Sequence, residues 1–485
     1  MHESRMLIDG VLGAGVSGRR FENVNPATEE VLGSVADGVA GDMDAAIGAA
    51  RRAFDTTSWS ADRDFRAHCL RQLHDALGRE REAYRSEIIG ETGSPKALTY
   101  ATQVDVPIDD AIAWPLKCMD FFGWERDLGT AQFLGQTSRR IVAKVAVGVV
   151  GAIVPWNYPL EVTLNKLGQA LATGNTIVLK PAPDTPFNAT RLGRLIVEQT
   201  DIPAGVVNVV TSSDHALGEQ LVVDDRVDMV SFTGSTATGS RIMEKAAPSL
   251  KRLFLELGGK SAAIVLDDAD LAAAARGAVA AVSAHAGQGC VIATRLLVPR
   301  HRYAEAVEAA AAEMAAVPYG DPLDPAVTMG PVVSARQRDR VLGLIEAGKA
   351  EGARLVTGGS RPRHLPRGYF VEPTLFADVD NSMRVAREEI FGPVLVVIPF
   401  ADDDDAVRIA NDSHYGLGGA VSSADLDRAM SVARRVRTGV QRINGGNWYA
   451  PDSPFGGFKR SGLGRQNGLE GFEQYLETMT FGLPV

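Results

Sequence analysis

The stretch VSFTGSTATG, residues 230–239, runs from apolar text into Gly234 and opens through Ser235 and Gly239 into SRIMEKAA, which reads as a helix. Strand, glycine turn and helix in that order form the unit of a parallel α/β sheet, and the free N–H groups of such a helix start receive an anion such as pyrophosphate. The same order is also how α/β proteins are ordinarily connected. Taken alone, the stretch leaves both readings open.

Outward from it the texture repeats. IVAKVAVGVVGAIVP (141–155), NTIVLKP (175–181) and GVVNVVT (205–211) are short apolar runs separated by helical segments such as NATRLGRLIVEQT (188–200). Strands apolar on both faces between helices of ordinary length predict a parallel sheet of βαβ units. The alternation restarts after LELGGKSAAIVLDDAD (255–270) with TRLLVP (294–299), YAEAVEAAAAEMA (303–315) and VLVVIPF (394–400), predicting a second α/β domain. Residues 43–122 carry helical periodicity and read as an outer helical layer.

At 485 residues the chain is too long for one ordinary core. A formal charge of -10, from 50 Lys+Arg against 60 Asp+Glu, repels polyanions and excludes nucleic acid as a partner. Cys69, Cys118 and Cys290 are odd in number and unpaired in spacing, and the start MHESRMLIDG lacks the apolar segment of a signal peptide, so a cytoplasmic location is expected. The most apolar window, 271–287, contains Arg276 and His285 and is too short to span a bilayer; it reads as a buried helix, with no membrane as partner. The run Asp402–Asp405 reads as charges at a helix N-terminus, and no metal site is expected.

GAGVSG (13–18) satisfies the G-x-G-x-x-G pattern, but RRFENVNPATEE follows where a helix is required, so it reads as a glycine-rich hairpin. More informative are three residues elsewhere. Asn157 lies in PWNYP (155–159) at the end of an apolar strand, where an amide N–H is suited to an oxyanion. Glu256, between leucines in LELGGKS (255–261), is suited to a general base because desolvation raises its pKa. Cys290, preceded by Gly287 and Gly289 in AHAGQGCVIATR (284–295), is either a packed turn residue or a nucleophile approached closely by substrate.

Together with NPATEEVLG (25–33), LKPAPDTP (179–186), FTGS (232–235), GYFVEPTLF (368–376), EEIFGPV (388–394) and PFGGFKRSGLGR (454–465), these motifs make the chain resemble the aldehyde dehydrogenase superfamily nearly end to end. The resemblance implies two doubly wound Rossmann-like domains and a small β oligomerisation arm. A dinucleotide-binding domain is expected over 1–126 and 146–255, a catalytic domain over 256–445, and the arm with a C-terminal segment over 127–145 and 446–485. The implied reaction is oxidation of an aldehyde to its acid, on the hydrolytic, non-phosphorylating branch. Cys290 is the implied nucleophile, Asn157 an oxyanion donor and Glu256 the base that activates water on the thioester. His285, despite its closeness to Cys290 in sequence, is not expected to be catalytic.

By the same resemblance Pro155, Trp156, Lys180, Gly234, Ser235, Glu389 and Phe391 contact the cofactor. NAD is expected, with NADP possible, since Pro183 stands where NAD-preferring relatives commonly carry a glutamate that repels a 2′-phosphate. Tyr158, Glu161, Asn165, Val291, Ile292, Trp448 and Phe455 are expected to line the aldehyde tunnel. Their aromatic and aliphatic character favours an apolar aldehyde, while Glu161 equally suits a cationic one. Asn165 and Gln466 replace a tryptophan and a glutamate found in many relatives. The segments 127–144 and 475–485 resemble strands that join a neighbour's sheet, implying a homodimer or homotetramer. The alternatives carried forward are a non-catalytic protein that retains the fold and a cysteine-dependent esterase or thioesterase without redox chemistry.

Overall fold

The computed structural model describes residues 2–485. Among them, eight strands form a first sheet in the order Gly462–Leu463, Arg252–Glu256, Met229–Thr233, Val149–Ile153, Thr176–Lys180, Val207–Val209, Met6–Ile8, Val11–Gly13. The five inner strands are parallel and the outer ones antiparallel. The chain lays down strands to one side of Val149–Ile153 and then returns to add Met229–Thr233 on the other. That reversal opens a crevice at the carboxyl ends of these two neighbours, where Asn157 and Gly234 follow.

A second sheet runs Arg354–Thr357, Thr374–Ala377, Val394–Phe400, Ala293–Pro299, Ser261–Val265, Gly418–Ser422, Val440–Ile443, parallel except at its first edge. Thr374–Ala377, Val394–Phe400, Ala293–Pro299 and Ser261–Val265 in its interior are largely buried on both faces, as the apolar runs require, while the edge strands Arg354–Thr357 and Val440–Ile443 are partly exposed. A third, antiparallel sheet pairs Gln136–Ala146 with Glu125–Phe133 and with Leu476–Pro484. The segment 446–485 is thus shared between sheets: Gly462 pairs with Glu256, and Phe472 and Tyr475 join the first core.

The helical layer expected over 43–122 is present as helices between Ala40 and Phe121. Leu70, Leu73, Leu77 and Ile88 pack in the same core as Leu164 and Leu167. Cys69 and Cys118 are buried in that layer, and desolvation pushes both thiols up to about 12, as packing residues behave. No helix among the described residues is long and apolar enough to cross a membrane.

Three local expectations are refined. The hairpin Met6–Ile8/Val11–Gly13 is closed by Asp9 and Gly10, so GAGVSG is its exit, with Gly15 and Gly18 at positive φ and the strand Arg20–Val24 following. The apolar window from Leu271 is helical to Ser283 but buried on one face only: Ala272, Ala273, Arg276 and Gly277 are exposed. Asp402 caps the helix Asp403–Asn411 by accepting from Asp405 N at 2.9 Å, and Arg428 and Arg435 pair with Asp403 and Asp404 at 2.7 and 2.6 Å.

Candidate active site

One continuous cavity of about 2040 Å³ runs between the two sheets. Lys180, Pro183, Gly234 and Ser235 line it at the carboxyl end of the first sheet, and Cys290, Val291 and Ile292 line it from the loop that precedes strand Ala293–Pro299. Pro155, Trp156, Asn157, Tyr158, Glu161, Glu256, Glu389, Phe391, Trp448 and Phe455 face the same space. Asn165 is the exception among the expected residues. It is buried one helical turn beyond Glu161, behind Tyr449, whose hydroxyl lies beside both side chains.

The proline-flanked loop Val154–Tyr158 leaves strand Val149–Ile153 and turns into helix Pro159–Ala172, with Pro159 at the first helical position. Asn157 is held from two directions: its carbonyl accepts from Gln103 Nε2 at 2.9 Å and its Nδ2 donates to Gln288 O at 2.9 Å. One amide hydrogen is thereby spent on orientation and a second remains. Gln288 is anchored in turn, with Nε2 donating to His285 O at 3.0 Å and Oε1 accepting from Val333 N at 2.9 Å.

The glycines around Cys290 answer to packing as well as access. Gly287 has φ +73°, and a side chain there would strike the Gly392 carbonyl; one at Gly289 would meet Ile292 Cδ1 at 2.7 Å. A methyl group on Gly259 would meet the Cys290 carbonyl oxygen at 2.5 Å. His285 lies behind this loop, buried, at φ 48° and with its ring edge-on to Tyr158 at 5.4 Å. Burial pushes it down to about 4, and it does not line the cavity.

Glu256 ends its strand with 3% exposure and with Oε1 unpartnered. Burial raises its pKa well above the ordinary carboxylate range; the adjacent Cys290 thiol and the buried Lys166 oppose that rise. The thiol is raised more strongly, by burial and by the Glu256 carboxyl beside it. A neutral thiol thus lies against a carboxyl that exchanges its proton near neutrality, as a general base must. Lys166, fully buried and lowered by desolvation, donates to Ser231 Oγ at 3.1 Å, which in turn contacts Tyr475 OH at 3.0 Å.

At the other end, Lys180 closes its strand with burial lowering it to about 8 against the pull of Asp214 and Asp37. Ser235 caps helix Thr236–Ala246, its side chain accepting from Thr238 N, so the helix start opens onto the cavity. Glu389 is half-buried, raised to about 7 by desolvation, and accepts from Gly259 N at 3.0 Å. Phe391, at φ 59°, meets Trp156 edge-on at 5.3 Å.

Residues 14–481 match the sequence profile of the Aldehyde dehydrogenase family. The chain belongs to the aldehyde dehydrogenase family. Among aldehyde dehydrogenase relatives, a 3-succinoylsemialdehyde-pyridine dehydrogenase from Pseudomonas sp. is 41% identical over 475 residues, covering 97% of this chain and 96% of its own. A geranial dehydrogenase from Castellaniella defragrans is 42% identical over 481 residues, covering 97% and 96%. The crystal structure of a Mycobacterium tuberculosis aldehyde dehydrogenase complexed with NAD+ matches with TM-score 0.94 at 42% identity, covering 100% of this chain and 98% of that one. A cysteine-to-alanine mutant of aldehyde dehydrogenase C from Pseudomonas syringae, complexed with NAD+ and octanal, matches with TM-score 0.92 at 38% identity, covering 99% and 96%.

The aldehyde dehydrogenase cavity and the packing behind it also hold residues that carry no motif. Lys166 is the one cation in the apolar helix Pro159–Ala172, and that isolation was its signal. Tyr449 donates to Glu161 Oε1 across 288 residues of sequence, signalled only by its place beside Trp448. Thr102 and Asp110, from the helical layer, line the cavity without any motif to mark them.

Proposed function

We propose that this aldehyde dehydrogenase oxidises an aldehyde to its carboxylic acid with NAD+ as hydride acceptor, through a covalent intermediate on Cys290. The observation that carries the reading is the convergence of Cys290, Glu256 and the spare Asn157 amide hydrogen on one cavity that extends to Lys180 and the Ser235 helix start. The cavity volume of about 2040 Å³ fits a dinucleotide and an aldehyde together. The NAD+ complexes of structurally similar relatives support the same cofactor here.

Lys180 would hold the adenosine ribose, Gly234 and Ser235 the pyrophosphate, and Glu389 with Phe391, Pro155 and Trp156 the nicotinamide end. When bound, the nicotinamide supplies the hydride acceptor. The Cys290 thiol gives up its proton to solvent as its sulfur adds to the carbonyl carbon, which leaves the Glu256 carboxylate free for the later hydrolysis. The developing oxyanion is held by Asn157 Nδ2 and the Cys290 backbone N–H. Loss of hydride leaves a thioester on Cys290. Glu256 then accepts a proton from a water that attacks the acyl carbon, releasing the acid and restoring the thiol. Tyr158, Val291, Ile292, Trp448 and Phe455 form the walls against which the aldehyde's carbon chain rests.

Three free cysteines support a reducing, cytoplasmic compartment. The arm sheet supports a homodimer or homotetramer: Glu125–Phe133 is an uncovered edge, with Phe133 and Leu134 76% and 87% exposed. The test of the function is reduced-nicotinamide absorbance with aliphatic and terpenoid aldehydes. Turnover that disappears in Cys290→Ala while NAD+ binding persists supports the reading; normal turnover in that variant overturns it.

A further inference from the structure

Beyond Cys290 the cavity wall is largely apolar. Val291 and Trp448 pack with Cys290 in one cluster, and the Trp448 and Phe455 rings stack at 5.3 Å. Into this wall helix Pro159–Ala172 presents the Glu161 carboxyl. Tyr449 donates to its Oε1, and among the described residues no cationic side chain pairs with it. Burial pushes Glu161 up to about 7. Gln466, 4% exposed, lines the same cavity, and among the described residues its Oε1 accepts no hydrogen bond. Asp110 adds a second carboxyl to the lining.

A half-buried carboxyl without a counter-ion and a buried amide oxygen without a donor are both costly to maintain. Both are satisfied by a ligand that carries N–H and positive charge. The surrounding aliphatic and aromatic surface suits an apolar stem, and ring faces such as that of Trp448 attract a cation. Simple apolar aldehydes would leave the Glu161 carboxylate without a counter-ion and Gln466 Oε1 without a donor.

Resting on the reading of this cavity as an aldehyde dehydrogenase site, we propose that Glu161 is a specificity-determining residue for aliphatic aldehydes bearing a protonated amine at the far end. The ammonium seats against the Glu161 carboxylate, with Gln466 Oε1 as a second acceptor, while the carbonyl lies at Cys290. Tyr449 holds the carboxylate in position through its hydroxyl.

The test uses two aldehydes of matched shape, 4-(dimethylamino)butanal, cationic at neutral pH, and its hydrocarbon isostere 5-methylhexanal, with NAD+ and the full-length enzyme. The wild type is expected to favour the amine in kcat/KM by at least about tenfold, and Glu161→Gln to lower the amine-to-hydrocarbon ratio by about tenfold, the factor of one good charged contact. Tyr449→Phe, which keeps the carboxyl and removes only its donor, is expected to lower the ratio partway, so that misfolding of one variant does not decide the outcome. A wild type that prefers 5-methylhexanal, or a ratio unmoved by both substitutions, overturns the proposal and leaves aldehyde oxidation standing. Absence of reduced nicotinamide from both aldehydes while octanal is oxidised overturns the proposal alone, and absence with octanal and terpenoid aldehydes as well overturns both.

Discussion

The side-chain amide of Asn157 donates to the carbonyl of Gln288 at 2.9 Å, tying the loop after the first sheet's central strand to the loop that carries Cys290 two residues later. One contact therefore sets the orientation of the amide and the position of the nucleophile loop. Replacing Asn157 with Ala removes both the tie and an oxyanion donor, and kcat is expected to fall about 10²–10³-fold. Stopped-flow measurement of the first turnover checks this, because the loss belongs to the steps before the acyl-enzyme rather than to its hydrolysis.

Glu256 holds its proton near neutrality because burial outweighs the help of Lys166. A general base in that state works better as pH rises through its raised pKa, so the steady-state rate is expected to climb from mildly acid to mildly alkaline pH. In Glu256→Gln that dependence should vanish, with deacylation slowed at least about 10²-fold. Rate profiles of both proteins across this range make the comparison.

Pro183 lines the cavity three residues after Lys180 and carries neither charge nor hydrogen-bonding side chain. Pro183→Glu introduces a negative charge that accepts hydrogen bonds from ribose hydroxyls and repels a 2′-phosphate. The ratio of NADP+ to NAD+ dissociation constants is expected to rise by about tenfold or more, equivalent to about 1.4 kcal/mol. Fluorescence titration with each dinucleotide reads this without turnover.

Glu91 is buried where its carboxyl accepts from Phe187 N at 2.6 Å and Asn188 Nδ2 at 3.3 Å, and desolvation raises it from the ordinary 4.5 to about 8, with the Glu87 charge adding to the effect. A folded-state pKa above the unfolded one contributes stability that is complete below about 4.5 and is lost as pH rises to about 8. Thermal unfolding should show a Tm that declines less steeply between these pH values in Glu91→Gln than in the wild type. An equal decline in both would remove Glu91 as a source.

Much of the framework was legible because it depends on local chemistry. Apolar runs separated by helical segments predict parallel strands, and PWNYP, LELGGKS and GQGC mark places where backbone must turn tightly beside a reactive side chain. The Gly287 left-handed turn against Gly392 is of this kind. Asn165 was expected on the tunnel wall because it follows Glu161 by one turn on the same helix face, which is sound as helix geometry. Tyr449 covers it from a segment nearly three hundred residues away, and no local pattern reports such a contact. Lys166 and Asp110 were hidden for the same reason: their importance comes from what other elements bring against them.

The central claim is that an acyl group becomes attached to Cys290, and the most direct measurement is the intact and peptide mass of Glu256→Gln after brief exposure to octanal and NAD+. The expected product is an octanoyl adduct confined to the peptide that contains Cys290, formed together with one equivalent of reduced nicotinamide per active site. Reduced nicotinamide produced over many turnovers with no adduct at Cys290, or with an adduct on Cys69 or Cys118, would contradict it.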